Sequence, residues 1–237
     1  MIKNNRFYSL ERLNRHSRLS RAFYPHKSAQ LSLARIAKRG FDICFSSLVL
    51  ALGCPIYLLL ACCVYVSSPG PIFFSHQRVG RNRRSFGCIK FRTMVPNADR
   101  KLRELLEKSP QMRQEFEETF KLKNDPRITW IGKFLRVSSL DELPQFVNVL
   151  KGEMSVVGPR PLVKDELPRY GEEIDYVLSV KPGVTGLWQV SGRNDISYED
   201  RVKLDVSYVE QCSLALDLML ILKTVGVMVL PKSNGAY

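Results

Sequence analysis

The stretch from Ile43 to Val66, ICFSSLVLALGCPIYLLLACCVYV, carries no charged side chain. As a helix it would extend about 36 Å at about 1.5 Å per residue, enough for a hydrocarbon core of about 30 Å. It begins too far from the N-terminus for a secretory signal peptide and lacks a small-residue cleavage site. Pro55 stands near its centre, where it removes one backbone hydrogen bond and predicts a bend. Both flanks are basic: Arg35, Lys38 and Arg39 before, then Arg78, Arg81, Arg83 and Arg84 after. Basic flanks favour the cytoplasmic side, and a single crossing would leave one of them outside. A re-entrant helix–break–helix hairpin keeps both on one side. A single-pass anchor is the alternative.

Charge follows the same division. The 237-residue chain has 36 Lys and Arg against 23 Asp and Glu, a formal charge of +13, which implies an anionic partner. Within the first forty residues ten basic side chains face Glu11 alone. That segment reads either as a solvated tail or as a polybasic arm held by anionic lipid. Apolar residues at 45% exclude a disordered chain. Nucleic acid is not expected as a partner, because no basic platform interleaved with aromatics is present. The six cysteines have neither zinc spacing nor a C-x-x-C pair and read as reduced, small hydrophobes.

Beyond Ser67 the pattern changes. SSPGP ends the apolar run, and Pro71–Val79 with Ser85–Met94 predicts a β-hairpin around GRNRR. Residues 98–123 predict a charged amphipathic helix interrupted at Ser109-Pro110, and Trp130–Val137 a short helix or turn. In SLDELPQFVNVL the apolar residues recur at helical spacing, and Pro144 is tolerated only in a first turn. The helix is therefore expected to begin near Leu140 or Asp141. Residues 152–194 are rich in Gly and Pro and predict irregular loop, while residues 214–230 predict an interface-lying or core helix that carries Asp217. The fold class expected is α+β and mostly helical: a re-entrant membrane hairpin (residues 35–70), preceded by a basic tail (1–34), and a catalytic domain (71–237) with a short β-hairpin and amphipathic interface helices.

Asp141 and Glu142 are the most informative pair. Ser139 with Glu142 fits a capping box, and acids favour helix starts, so local structure alone could account for them. Their company points elsewhere. Lys90 and Arg92 in KFRTM, Arg136, Arg160 in GPRP and Arg193 in SGRN all lie near Gly, Pro or the acidic pair, a composition suited to bidentate phosphate binding. Two adjacent carboxylates can hold a hard divalent cation against a diphosphate. Together these parts describe phosphoryl chemistry on a diphosphate substrate.

Five blocks in order, KRGFD (38–42), KFRTM (90–94), SLDELPQFVNVLKGEMSVVGPRP (139–161), KPGVTGLWQVSGRN (181–194) and LDVSYV (204–209), resemble the bacterial sugar transferases, the monotopic phosphoglycosyl transferases. The resemblance runs from about residue 36 through the closing GAY. It implies transfer of a sugar-1-phosphate, glucose or galactose by the look of the blocks, from a UDP-sugar to undecaprenyl (polyprenyl) phosphate with release of UMP. It further implies Mg²⁺ as cofactor, initiation of exopolysaccharide or O-antigen assembly, and residence on the cytoplasmic face of the bacterial inner membrane.

Carried onto this chain, the resemblance makes Asp141 the nucleophile that forms an aspartyl phosphosugar, with Glu142 the second acid and both carboxylates as metal ligands. Lys90, Arg92, Arg136, Arg160 and Arg193 become phosphate or uridine contacts. Asp205 is expected to be structural or near the site, and Asp217 is left open. At the membrane break the family often has Ser-Pro, where this chain has Cys54-Pro55; a thiol is a weaker hydrogen-bond partner for the freed carbonyl. Larger members carry extra membrane helices and a further domain, so the chain looks like the compact catalytic form. A homodimer is compatible with this reading. A non-catalytic membrane scaffold would explain the charge and hydropathy equally well, but gives no reason for an acidic pair among phosphate-suited cations.

Overall fold

The computed structural model describes residues 25–119, 122, 124–192 and 196–229. The basic segment 1–24, Arg193 and the closing GAY lie outside the described residues. Two compact units divide the chain, Met1–Phe41 and Asp42–Tyr237, and the second holds every element after the first helix.

Helix α1 spans Pro25–Ser67 and contains Pro55 within it. It is the one helix among the described residues long and apolar enough to cross a membrane, and only 11% of its most apolar window is buried against protein. Leu48, Leu52, Ile56 and Leu59, at helical spacing, form an exposed apolar stripe. Its other side packs inward. Phe45, Val49 and Leu50 lie on a core of Phe86, Cys88, Phe146, Val149 and Met154. Leu60 and Val64 join Phe91, Ile131 and Leu135 in a second cluster. Asp42, at the start of the second unit, accepts hydrogen bonds from Ser155 Oγ (3.0 Å) and Val156 N (3.1 Å).

Strands β1 (Phe73–Val79) and β2 (Ser85–Phe91) form the antiparallel hairpin the alternation predicts, with Val79 opposite Ser85 and Phe73 opposite Phe91. The turn between them is a 3₁₀ segment, Arg81–Arg83, with Asn82 in the left-handed region. Helices α2 (Ala98–Lys108) and α3 (Pro110–Thr119) are separated at Ser109, as the Ser-Pro interruption predicts. Helix α4 (Trp130–Ser138) is capped by Thr129, whose hydroxyl accepts from Gly132 N. A Cβ at Gly132 would stand 1.9 Å from the Thr93 carbonyl oxygen, so only glycine lets α4 lie against the end of β2. Trp130, Phe134 and Val137 occupy one exposed face of α4.

The expected helix start at Leu140–Asp141 is corrected. Leu140–Glu142 is a 3₁₀ turn, Pro144 is the N-cap, and α5 covers Gln145–Lys151. Residues 152–192 are also more ordered than the predicted loop. β3 (Ser155–Val157) and β4 (Gly183–Thr185) pair in parallel, and α6 (Ile174–Val177) and two 3₁₀ segments lie among the residues around and between them. A Cβ on Gly183 would sit 2.1 Å from Gly158 N, so the close approach of these backbones demands glycine. Helices α7 (Tyr198–Gln211) and α8 (Leu214–Val229) complete the described chain. Leu214, Leu218, Leu222 and Val225 recur on an exposed face of α8.

Candidate active site

The register of the hairpin builds one wall. Arg78 lies opposite Phe86, His76 opposite Cys88 and Phe74 opposite Lys90, so Arg78, Cys88 and Lys90 share a face of the sheet. All three line a pocket together with Glu142, Gln145, Arg160, Pro161, Gly183, Val184 and Gln189. The 3₁₀ turn before α5 brings Glu142 to that pocket, and Tyr57 of α1 holds the turn by donating its hydroxyl to the Leu143 carbonyl at 2.8 Å. Arg160 arrives on the GPRP loop, which is pinned through Gly158 N to Thr185 O (2.9 Å) and Gly183 N to Pro159 O (2.8 Å).

The capping reading of the acidic pair does not hold. Ser139 sits in the left-handed region with no side-chain cap, and Glu142 turns to Lys90, whose Nζ lies 2.6 Å from Oε1. The same ammonium stands 3.6 Å from Asp141 Oδ2. Burial pushes the Asp141 carboxyl above its ordinary value against the pull of Lys90. Burial acts upward on Glu142 too, but Lys90, Arg160 and Arg78 outweigh it and hold that carboxyl below its ordinary value. Arg78 is lowered by burial and then by Arg160, with Glu166, 3.8 Å from its guanidinium, opposing. Two arginines in a pocket whose lining includes a single acid make a receptor for an anion.

Arg136 is held nearby. Its Nε donates to Thr93 Oγ1 at 2.9 Å, and both Asp141 and Asp125 act on its charge. Asp125 itself is paired with Arg127 at 2.6 Å. Arg160 lies 5.7 Å from the centre of the Trp188 ring, which also receives Arg201 at 4.8 Å.

The structure brings Lys90, Asp141, Glu142, Arg136 and Arg160 together. Arg92 is placed elsewhere: β2 ends at Phe91, and the Arg92 guanidinium donates to the Ser68 carbonyl just past the C-terminus of α1. That bond satisfies a carbonyl at the helix end, a structural task. Cys54 is exposed on α1 beside Pro55. Asp217 is buried in the first turn of α8 and receives the Tyr208 hydroxyl at 2.8 Å. Arg78 is the pocket residue that sequence reasoning assigned only to a membrane flank; counting alternate positions across the hairpin from Lys90 would have found it.

Asp205, on α7, is fully buried; Oδ2 accepts the Tyr170 hydroxyl at 2.8 Å and Oδ1 has no partner. Burial raises its pKa to about 7, with Tyr170 and Arg160 opposing. The folded state therefore holds a proton that the unfolded chain, at about 3.9, releases. Stability is fully present below about pH 4 and is lost as pH rises toward 7, by at most about 4 kcal/mol. Asp205→Asn is expected to flatten this slope, so its melting temperature gains on that of the wild type between pH 5 and pH 8. Parallel melting curves across that range would refute it.

Comparison with known proteins decides the family. The model of the bacterial sugar transferase family matches residues 33–231. The chain is a bacterial sugar transferase. It is 51% identical over 204 residues to the undecaprenyl-phosphate galactose phosphotransferase of Salmonella typhimurium, covering 86% of this chain and 42% of that protein. It is 45% identical over 216 residues to the exopolysaccharide production protein ExoY of Sinorhizobium fredii, covering 91% of this chain and 95% of that protein. With the UDP-glucose:undecaprenyl-phosphate glucose-1-phosphate transferase of Escherichia coli it shares 38% identity over 199 residues, covering 81% and 40% of the two chains. The chain thus spans less than half the length of several relatives and nearly all of ExoY.

Proposed function

We propose that this bacterial sugar transferase moves a sugar-1-phosphate, glucose or galactose, from a UDP-sugar to undecaprenyl phosphate and thereby starts an exopolysaccharide or O-antigen type glycan. The observation that carries the reading is the Lys90-bridged carboxylate pair beside a pocket lined by Arg78 and Arg160. An ionised Asp141 attacks the β-phosphorus of the UDP-sugar; the bond from that phosphorus to the bridging oxygen breaks, and UMP leaves. The acceptor phosphate oxygen then attacks the aspartyl phosphosugar, freeing the carboxylate and forming the lipid diphosphate. Arg78, Lys90 and Arg160 bind and orient the diphosphate, and Arg136 stabilises the ionised Asp141. Arg193 belongs to the same proposed set.

The donor set suits Mg²⁺. Among the described residues no cluster of three or more metal-binding side chains occurs, and a magnesium ion needs only one or two carboxylates when phosphate oxygens and water complete its shell. Asp141 and Glu142 would hold it, and when bound it offsets the charge of the diphosphate.

The exposed apolar stripes of α1, α4 and α8 support residence on a lipid surface. In this reading α1 enters and leaves the cytoplasmic leaflet of the inner membrane with its bend at Cys54-Pro55. Residues 35–70 are the membrane segment and 71–237 the catalytic domain. The test is UMP release by the purified chain with Mg²⁺, undecaprenyl phosphate and a panel of UDP-sugars. Release with UDP-glucose or UDP-galactose is expected, and silence across the whole panel would overturn the proposal.

A further inference from the structure

Lys90 makes its closest polar contacts with the two groups that the proposed chemistry needs free. Its ammonium stands 2.6 Å from Glu142 Oε1 and 3.6 Å from Asp141 Oδ2. A magnesium ion held by the same two carboxylates would need close oxygen contacts with them. It would take the volume that the ammonium fills, so the two cations exclude one another. An ammonium pushed off the carboxylates finds no second acid in the pocket lining: Glu142 is the one acidic residue there, and the other charged groups are Arg160 and Arg78, which lies 3.8 Å from Glu166 outside that lining. Both arginines carry positive charge, and they share the lining with Lys90. A divalent cation arriving without nucleotide therefore meets three cations in the pocket lining and must displace one of them toward the other two. A diphosphate changes the balance, because its oxygens receive the displaced ammonium and complete the metal shell.

We propose that Lys90 occupies the seat of the divalent cation in the substrate-free enzyme, so that metal and nucleotide diphosphate bind together and the dyad does not take up metal alone. This rests on the transferase reading above, in which Asp141 and Glu142 hold the metal. Lys90 thereby keeps the acidic pair compensated between turnovers and moves to the phosphates when substrate arrives. By linkage, metal and nucleotide each strengthen the binding of the other by the same factor.

The test is Mn²⁺ binding by the full chain in detergent, measured by equilibrium dialysis and electron paramagnetic resonance at fixed ionic strength. Wild-type protein is expected to retain little Mn²⁺ alone and to retain it when UDP is added, compared at equal free Mn²⁺. Lys90→Met should bind Mn²⁺ without nucleotide at least about tenfold more tightly than wild type, as removal of a unit charge in contact with the site requires. Lys90→Arg, which keeps the charge, should stay weak. Adding Asp141→Asn to Lys90→Met should remove the gain, placing it at the dyad.

Arg78→Met removes the same charge from the same pocket without touching either carboxylate, so its gain should be several-fold smaller. An equal gain would reduce the effect to the general field and overturn the proposal. So would Lys90→Met protein that melts like wild type yet binds Mn²⁺ no better, or wild-type protein that binds Mn²⁺ equally with and without UDP. UMP release is scored separately. Release with no Mn²⁺ gain in Lys90→Met overturns this inference and leaves the transferase reading standing. The full Mn²⁺ pattern without release from any UDP-sugar supports the inference and overturns that reading.

Discussion

Asp141→Asn is expected to lower UMP release by about 10,000-fold or more while leaving the protein folded. The substitution keeps side-chain volume at a nearly buried position. It leaves the stronger Lys90–Glu142 pair in place, so the 3₁₀ turn retains its partner across the pocket. In the proposed mechanism it removes the oxygen nucleophile: an amide oxygen would not form the aspartyl phosphosugar on which both proposed half-reactions depend. Wild-type protein given radiolabelled UDP-sugar without lipid acceptor should accumulate label on the polypeptide, and the variant should not. Normal UMP release by the variant would falsify the nucleophile assignment. A pH profile adds an independent check. Burial raises the Asp141 carboxyl and reaction requires it ionised, so kcat/KM should fall as pH drops through a value above the usual carboxylate range.

Where the sequence was legible, the signal was local. The β-hairpin follows from alternation around GRNRR, and the division between α2 and α3 follows from Ser109-Pro110. Composition and the long blocks single out the Asp141–Glu142 pair, but the local pattern misplaces its setting. S-x-x-E predicts a capping box, but Ser139 takes a left-handed backbone as it ends α4, and the Glu142 side chain answers to Lys90, fifty-two positions away in sequence. Arg92 fails for a related reason. Period two carries it onto the face of Lys90 only while the strand continues, and the strand stops at Phe91. Residues 152–192 read as loop because their order rests on backbone contacts between distant glycines, Gly158 with Gly183 and Gly186, which leave no hydrophobic period. In each case the missing information is a contact between segments far apart in the chain, which no local pattern encodes.

Asn148→Leu is expected to destabilise the protein by about 3–6 kcal/mol, a large share of the 5–15 kcal/mol typical of a domain. Asn148 is fully buried on α5, and its carboxamide does the work of a third strand. Nδ2 donates to Gly87 O at 2.7 Å and Oδ1 accepts Ile89 N at 3.0 Å, so one side chain satisfies the second edge of β2 as a neighbouring peptide group would. The other Nδ2 proton goes to Glu153 Oε2 at 2.6 Å. Leucine fills the space but leaves a buried N–H, a buried C=O and a carboxylate without these partners, each costing about 1–3 kcal/mol. Function should suffer beyond stability, because Lys90 follows Ile89 directly and α5 follows the dyad turn; this amide fixes the distance between the ammonium and the carboxylates. Below its melting temperature the variant should therefore show a raised KM for the UDP-sugar as well as a lower kcat. Asn148→Asp separates the two edge bonds, since a carboxylate still accepts Ile89 N but cannot donate to Gly87 O and repels Glu153. It should be rescued in part at low pH, where protonation of either acid restores a donor between the two. A leucine variant that melts within about 0.5 kcal/mol of wild type and keeps its KM would show that β2 is held to α5 by apolar packing alone.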